Sequence, residues 1–260
     1  MRKYAMNDQV KFIKGILLFH LLFSGCLMWG NSADTTGSQR NNKLEINVGA
    51  ELVSRYVWRG IVLDLHPQIQ PVIALNYGNF CFDLWGSQSL NSSYSEIDLG
   101  LHYTAGWFTF TFYDYYAVDE NFLAESSFFR YKSTDSLPTN HTLEASVDVK
   151  PLVNIPLNFK AACFFYGADL DTEGKVQYST YLELSYQKIL KEVELNFILG
   201  GTVNQGFYAE KAAVTNVAVK AIHWLNLGEK YKMAISASVI LNPDTEDVFF
   251  IFGLATPVKL

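Results

Sequence analysis

The residues of this chain best able to do chemistry are carboxylates and arginines at even spacing. Glu51, Arg55 and Arg59 stand four apart, and Asp83 is followed by Glu96 and Asp98. In an extended strand, residues i and i+2 share a face, so Glu51, Arg55 and Arg59 share one side and so do Glu96 and Asp98, while Asp83 falls in the same polar phase of a nearby strand. Fixed charges around a narrow passage select ions by sign. In a space with little water the same charges also neutralise one another as ion pairs. The two roles are compatible, because a constriction can be held by its own salt bridges. Glu51, Arg55, Arg59, Asp83, Glu96 and Asp98 are therefore the expected lining of a pore.

Other chemistry finds less support. A lipid hydrolase at a barrel rim needs a Ser or Thr nucleophile, a His base and an orienting partner. His66 precedes a proline, His102 falls in the polar phase, and His141 opens a strand with no serine motif. His223, beside Trp224, is the one histidine in a suitable phase, and there it also reads as an interfacial anchor. No catalytic residue is expected, and no enzyme. Asp169, Asp171 and Glu173 share a loop and offer the oxygen ligands that Ca²⁺ takes, but a solvated acidic loop has the same composition. No metal or cofactor is expected. Gly200-Gly201 is not a phosphate loop, since no helix follows it.

The elements that carry these residues are strands. From Lys43 onward the period is two. Leu44, Ile46, Val48, Ala50 and Leu52 alternate with Glu45, Asn47, Gly49 and Glu51, and Ile97, Leu99, Leu101 and Tyr103 alternate with Glu96, Asp98, Gly100 and His102. Such alternation gives one apolar and one polar face. Twelve strands are expected, over 43–59, 67–77, 79–89, 95–105, 107–116, 141–151, 157–166, 177–188, 192–202, 213–225, 230–241 and 247–258. Most are about ten residues long, enough for a tilted strand to cross a bilayer. Tight turns after even-numbered strands alternate with longer loops after odd-numbered ones, the pattern of a transmembrane barrel. The fold class is all-β, an antiparallel transmembrane β-barrel of about 12 strands occupying 43–260.

Composition agrees. Charged residues are 18% of the chain and aromatics 15%, so the chain is not a disordered one. The net charge is −6 with no basic patch, which excludes a typical nucleic-acid binder. The polar face is rich in Gly, Ser, Thr, Asn and Gln, which suit a crowded lumen better than bulk water, so the apolar face is expected to meet lipid. Aromatics near strand ends, among them Tyr56, Trp58 and Trp107, are expected to form interfacial girdles. Cys81 and Cys163 fall on opposite faces, and two free thiols are expected. The apolar loop 117–140 has three readings: folded into the barrel, laid on the outer leaflet, or docked on a partner.

Residues 1–33 read as a signal peptide. Arg2, Lys3, Lys11 and Lys14 precede the apolar run Gly15–Trp29, and the small residues Gly30, Ser32 and Ala33 offer a cleavage site. Lipidation at Cys26 is the rival processing. Residues 34–42 would be a short periplasmic lead-in.

Val53-Ser54-Arg55-Tyr56-Val57-Trp58-Arg59-Gly60, then Pro67-Gln68-Ile69-Gln70, Trp85-Gly86-Ser87 and Glu96-Ile97-Asp98 through Tyr103, resemble in order and spacing the opening blocks of the TorF-type porin family of bacteria. The resemblance covers about residues 53–105. It implies an outer-membrane β-barrel and says little about transport. The expected function is a narrow porin-like channel for small polar solutes or ions. The alternatives are a non-conducting barrel acting through its outer loops in adhesion or envelope organisation, and an outer-membrane lipid hydrolase. The expected partners are the lipid bilayer of the bacterial outer membrane and the barrel-assembly machinery.

Overall fold

The computed structural model describes residues 43–120, 126–134, 137–150, 156–228 and 231–259. The segments expected as signal peptide and lead-in lie outside the described residues.

The alternating sequence produces strands β1 (Glu45–Val53), β2 (Tyr56–Trp58), β3 (Ile61–Asp64), β4 (Gln68–Tyr77), β5 (Phe80–Ser89), β6 (Tyr94–Ala105) and β7 (Phe108–Asp119). They continue as β8 (His141–Val149), β9 (Leu157–Gly167), β10 (Thr180–Leu190), β11 (Val193–Thr202), β12 (Ala213–Leu227), β13 (Tyr231–Asn242) and β14 (Asp247–Lys259). Twelve of them form a closed antiparallel barrel in which each strand pairs with its neighbour, and β14 returns to β1. Closure matters because an open sheet edge would leave backbone N–H and C=O groups unpaired in hydrocarbon. Asn47 to Val53 pair with Lys259 to Gly253, which seals the seam.

The turns after β4, β6 and β10 are two residues long, Gly78-Asn79, Gly106-Trp107 and Lys191-Glu192. Gly78, Gly106 and Lys191 take positive φ there, as tight hairpins require. The connections at the other end are longer. The start of β1 and the end of β14 both lie at the short-turn end, which in such barrels is periplasmic.

The wall is apolar outside and polar inside. On β4, Ile69, Pro71 and Ile73 are exposed, while Gln68, Gln70, Val72 and Ala74 are buried. Phe108, Phe110 and Phe112 of β7 and Phe250, Phe252 and Leu254 of β14 continue the exposed belt. The buried side holds Asn47, Asp83, Asp98, Thr111, Glu144 and Asp148. A large apolar side chain left in water forgoes about 1.5–3 kcal/mol. A whole belt of them is stable only against lipid. The molecule is a transmembrane β-barrel of the bacterial outer membrane.

Each expected strand corresponds to one barrel strand, but the first is shorter than expected. It stops at Val53. Ser54 to Pro67 then turn inward instead of running on to an outer loop, and β2 and β3 form a hairpin separate from the barrel sheet. Trp58 pairs with Ile61 across Arg59-Gly60, with φ of 51° and 81°. Positive φ at both central residues is the twist that a two-residue hairpin needs. Cys163 is a free thiol, as expected, and Cys81 is not, contrary to the expectation.

Candidate functional site: a hairpin across the lumen

The hairpin tip reaches the far wall. Arg59 Nη1 lies 2.5 Å from Glu144 Oε2, and Nη2 lies 2.9 Å from Oε1, a bidentate fork on β8. Arg59 also donates to the Tyr208 hydroxyl, from the loop between β11 and β12. The Tyr115 hydroxyl of β7 donates to Glu144 Oε1 at 3.2 Å. The guanidinium carbon sits 4.2 Å from the Trp58 ring centre, 4.7 Å from that of Tyr181 and 5.7 Å from that of Tyr208. Charge-assisted forks and aromatic faces are the two strongest ways to hold a guanidinium.

The backbone of the tip is held as well. Thr215 Oγ1 donates to the Arg59 carbonyl at 3.3 Å, and Asn242 Nδ2 donates to the Gly60 carbonyl at 3.1 Å. A Cβ on Gly60 would stand 1.8 Å from the Thr215 carbonyl oxygen. Trp58 stacks on Phe164 of β9 at 6.2 Å and meets Tyr115 edge-on at 5.5 Å. Contacts therefore run from β1 to strands on the opposite side of the barrel. All lie near the long-loop ends of those strands, so the hairpin sits in the outer mouth.

Two irregularities shape this seat. The ladder between β8 and β9 shifts at Leu143/Glu144, and that between β11 and β12 at Gly200/Gly201. Such bulges re-aim neighbouring side chains. Gly200 also leaves room for Tyr181, whose hydroxyl would lie 2.1 Å from a Cβ there. Tyr181 is completely buried. It donates to Glu183 at 2.9 Å and accepts from Asn216 at 3.0 Å.

The expected pore-lining residues fall into separate places. Arg59 belongs to the hairpin seat. Glu51 faces Lys220 of β12 at 3.6 Å. Asp83 lies 3.3 Å from His102 Nε2 and accepts from the Tyr113 hydroxyl at 3.2 Å. His102 contacts Thr111 at 2.9 Å through Nδ1. Glu96 and Asp98 touch one another, and Glu96 accepts hydrogen bonds from the hydroxyls of Tyr94 (2.9 Å) and Tyr56. No cation pairs with Glu96 or Asp98 among the described residues. Arg55 makes no ion pair or hydrogen bond among the described residues, and its Nε is buried. One further pair, Lys160 with Asp148 at 2.9 Å, lies on β8 and β9.

Two of the expected interfacial aromatics are corrected. Tyr56 and Trp58 are 3% and 6% exposed and pack inside the barrel, because the chain leaves the wall before them. Tyr56 meets Trp85 and Tyr94 at 5.7 and 5.9 Å. Trp107 sits exposed in the tight turn after β6.

The described part of the long loop, 126–134 and 137–140, lies against the outside of the wall. His141, Asp114 and Tyr116 share the outward face of β7 and β8. His141 stacks on Tyr131 at 3.9 Å, and Tyr116 meets Phe128 at 5.1 Å. Tyr131 donates to Asp114 at 2.7 Å, which pushes its phenol up to about 12. His223 contacts the Glu192 carbonyl through Nδ1 at 3.2 Å. Asp169 and Asp171 are occupied in ordering their loop: Asp169 accepts from the amide and hydroxyl of Ser179, and Asp171 from the amides of Glu173 and Lys175.

Sequence reasoning missed Tyr208, Tyr181 and Tyr115 as partners of Arg59. The phase of β8 did put Glu144 in the lumen, but nothing in the sequence paired it with Arg59.

No protein-family model matches the chain, and no curated protein matches it. Among solved structures, a KdgM porin in complex with disordered oligogalacturonate is similar, at 10% identity and a TM-score of 0.45, covering 83% of this chain and 99% of that one. An outer-membrane channel from Pseudomonas putida F1 gives 10% identity and 0.41, covering 83% and 95%. The translocator domain of the autotransporter NalP from Neisseria meningitidis gives 8% and 0.34, covering 98% and 95%. At such scores these likenesses add nothing to the geometry of the barrel.

Proposed function

We propose that the protein is a narrow, porin-like channel for small cations and polar solutes, shut at its outer mouth by the hairpin 54–67. The observation that carries this reading is the lumen itself. It is lined with polar side chains, and the hydrogen-bonded pair Glu96 and Asp98, which carries one negative charge when the two share a proton, has no cation beside it among the described residues. A passage lined with uncompensated negative charge favours cations. The hairpin is separate from the barrel sheet, so it can leave without opening the wall. The TorF-type resemblance over 53–105 supports the barrel and says little about transport; those residues build the hairpin and the wall bearing the acidic cluster.

Residues 1–33 are proposed as the export signal, 34–42 as the lead-in, and insertion as the task of the barrel-assembly machinery. No enzymatic role is proposed, because His223 is engaged by a backbone carbonyl and His141 lies beneath the loop. The test is single-channel recording from refolded protein in a planar bilayer under a KCl gradient. Defined steps with a cation-selective reversal potential are expected, rare in the wild type while the hairpin is docked and frequent in Arg59→Ala. A silent bilayer, with protein shown to be folded and inserted and with Arg59→Ala equally silent, would reject the channel. It would leave a barrel that acts through its outer loops, a reading favoured by the strap on the outer wall.

A further inference from the structure

The structure assigns a guanidinium-binding site to the lumen wall at the outer mouth, filled here by the chain's own Arg59 and open to a free guanidinium-bearing solute. The groups that hold Arg59 belong almost entirely to the wall and one outer loop. Glu144 supplies the fork at 2.5 and 2.9 Å, Tyr208 a hydroxyl, and Tyr181 a ring face at 4.7 Å. Only Trp58 travels with the hairpin.

These groups also keep their places without Arg59. Tyr181 is fixed by Glu183 and Asn216 and seated over Gly200. Glu144 is fixed by Tyr115 at 3.2 Å. A site whose parts are held by other partners is preorganised, and binding there costs little ordering. Its shape specifies the ligand class. A planar guanidinium satisfies both carboxylate oxygens and stacks on the rings, whereas an ammonium is a point charge that cannot use the fork.

Arg59 is therefore a tethered competitor. A free guanidinium solute that takes Glu144 releases the hairpin tip. Release through competition would open the lumen, a consequence that rests on the channel reading; the binding itself does not.

The test is titration calorimetry on folded protein in detergent, with agmatine as probe and 1,4-diaminobutane, of equal charge and spacer, as the ammonium control. Arg59→Ala is expected to bind agmatine at least about tenfold more tightly than the wild type, because its competitor is gone. Arg59→Lys should fall between them, and it decides the matter if Arg59→Ala does not fold. 1,4-Diaminobutane should bind Arg59→Ala at least about tenfold more weakly than agmatine. Adding Glu144→Gln to Arg59→Ala should abolish agmatine binding. Folded Arg59→Ala and Arg59→Lys that bind agmatine no better than wild type would overturn the assignment. So would agmatine binding that survives Glu144→Gln. Agmatine bound by a barrel that never conducts supports the site and removes only the channel. Conduction without agmatine binding removes the site.

Discussion

His141 is gripped from both sides: Nδ1 lies 2.7 Å from Asp114 Oδ1, and Nε2 lies 2.6 Å from the Phe128 carbonyl. The first partner is on the outer wall and the second in the loop laid over it, so one imidazole buttons the strap to the barrel. Thr139 adds to this by donating to the Arg130 carbonyl at 2.6 Å. The strap's own tip remains free, with Phe129 89% exposed at the outer rim.

Replacing His141 with Ala removes both bonds, one of them to a carboxylate. Bonds to charged groups contribute about 1.5–3 kcal/mol and neutral ones about 1 kcal/mol. The strap should loosen by that order while the barrel ladder is untouched. Protease cleavage within 126–140 should appear in the variant and not in the wild type, at unchanged heat-modifiable gel mobility.

The strap should also respond to alkali. Tyr131 donates to Asp114, and this bond, with some burial, raises its phenol from 10.0 to about 12. A raised folded value stabilises fully below the unfolded one and is lost as pH climbs through the folded one. Strap cleavage should therefore rise between about pH 10 and 12. Tyr131→Phe should lack this rise; a variant that keeps it would assign the transition elsewhere.

Arg59→Ala leaves Glu144 buried without its cation. Breaking such a pair costs about 3–5 kcal/mol. In a double-mutant cycle with Glu144→Gln, read by urea unfolding from bilayers, the two effects should fall well short of adding. Additive losses would show that the fork contributes nothing to hairpin docking.

Gly60→Ala should undock the hairpin by a different route. A left-handed conformation costs an alanine about 1–2 kcal/mol. The new Cβ also meets a backbone oxygen, which no side-chain rotation can relieve. Cleavage between 54 and 67 should become visible, together with larger or more frequent conductance steps. A hairpin that stays protected would show that the wall can move to accept it.

The double variant Glu96→Gln/Asp98→Asn should move the reversal potential toward zero, and each single variant much less, because the carboxyl group that remains keeps the charge the pair shared. An unchanged potential would place the selective charges elsewhere in the lumen.

The sequence by itself determined the wall. Strict alternation through segments such as Leu44–Leu52 fixes which side chains share a face, because a period of two leaves no other assignment, and the composition of the polar face turns the apolar one to lipid. Turns such as Gly78-Asn79 and Gly106-Trp107 fix the strand ends, because tight hairpins need positive φ. The polar phase of Asp83 in its strand and of Glu96 and Asp98 in the next placed them in the lumen for the same reason. What lies across the lumen was decided only by closure of the barrel. Tyr56 and Trp58 fall in the apolar phase of β1, so periodicity could not show that the strand ends at Val53. Arg59 and Glu144 are separated by 85 residues and share no local pattern. They meet because the barrel brings β8 opposite β1 and the hairpin is long enough to span the gap. The strap is decided in the same way. His141 and Asp114 sit on the lipid phase, where polar groups are costly, and only the loop folded over them supplies the partners that make their placement stable.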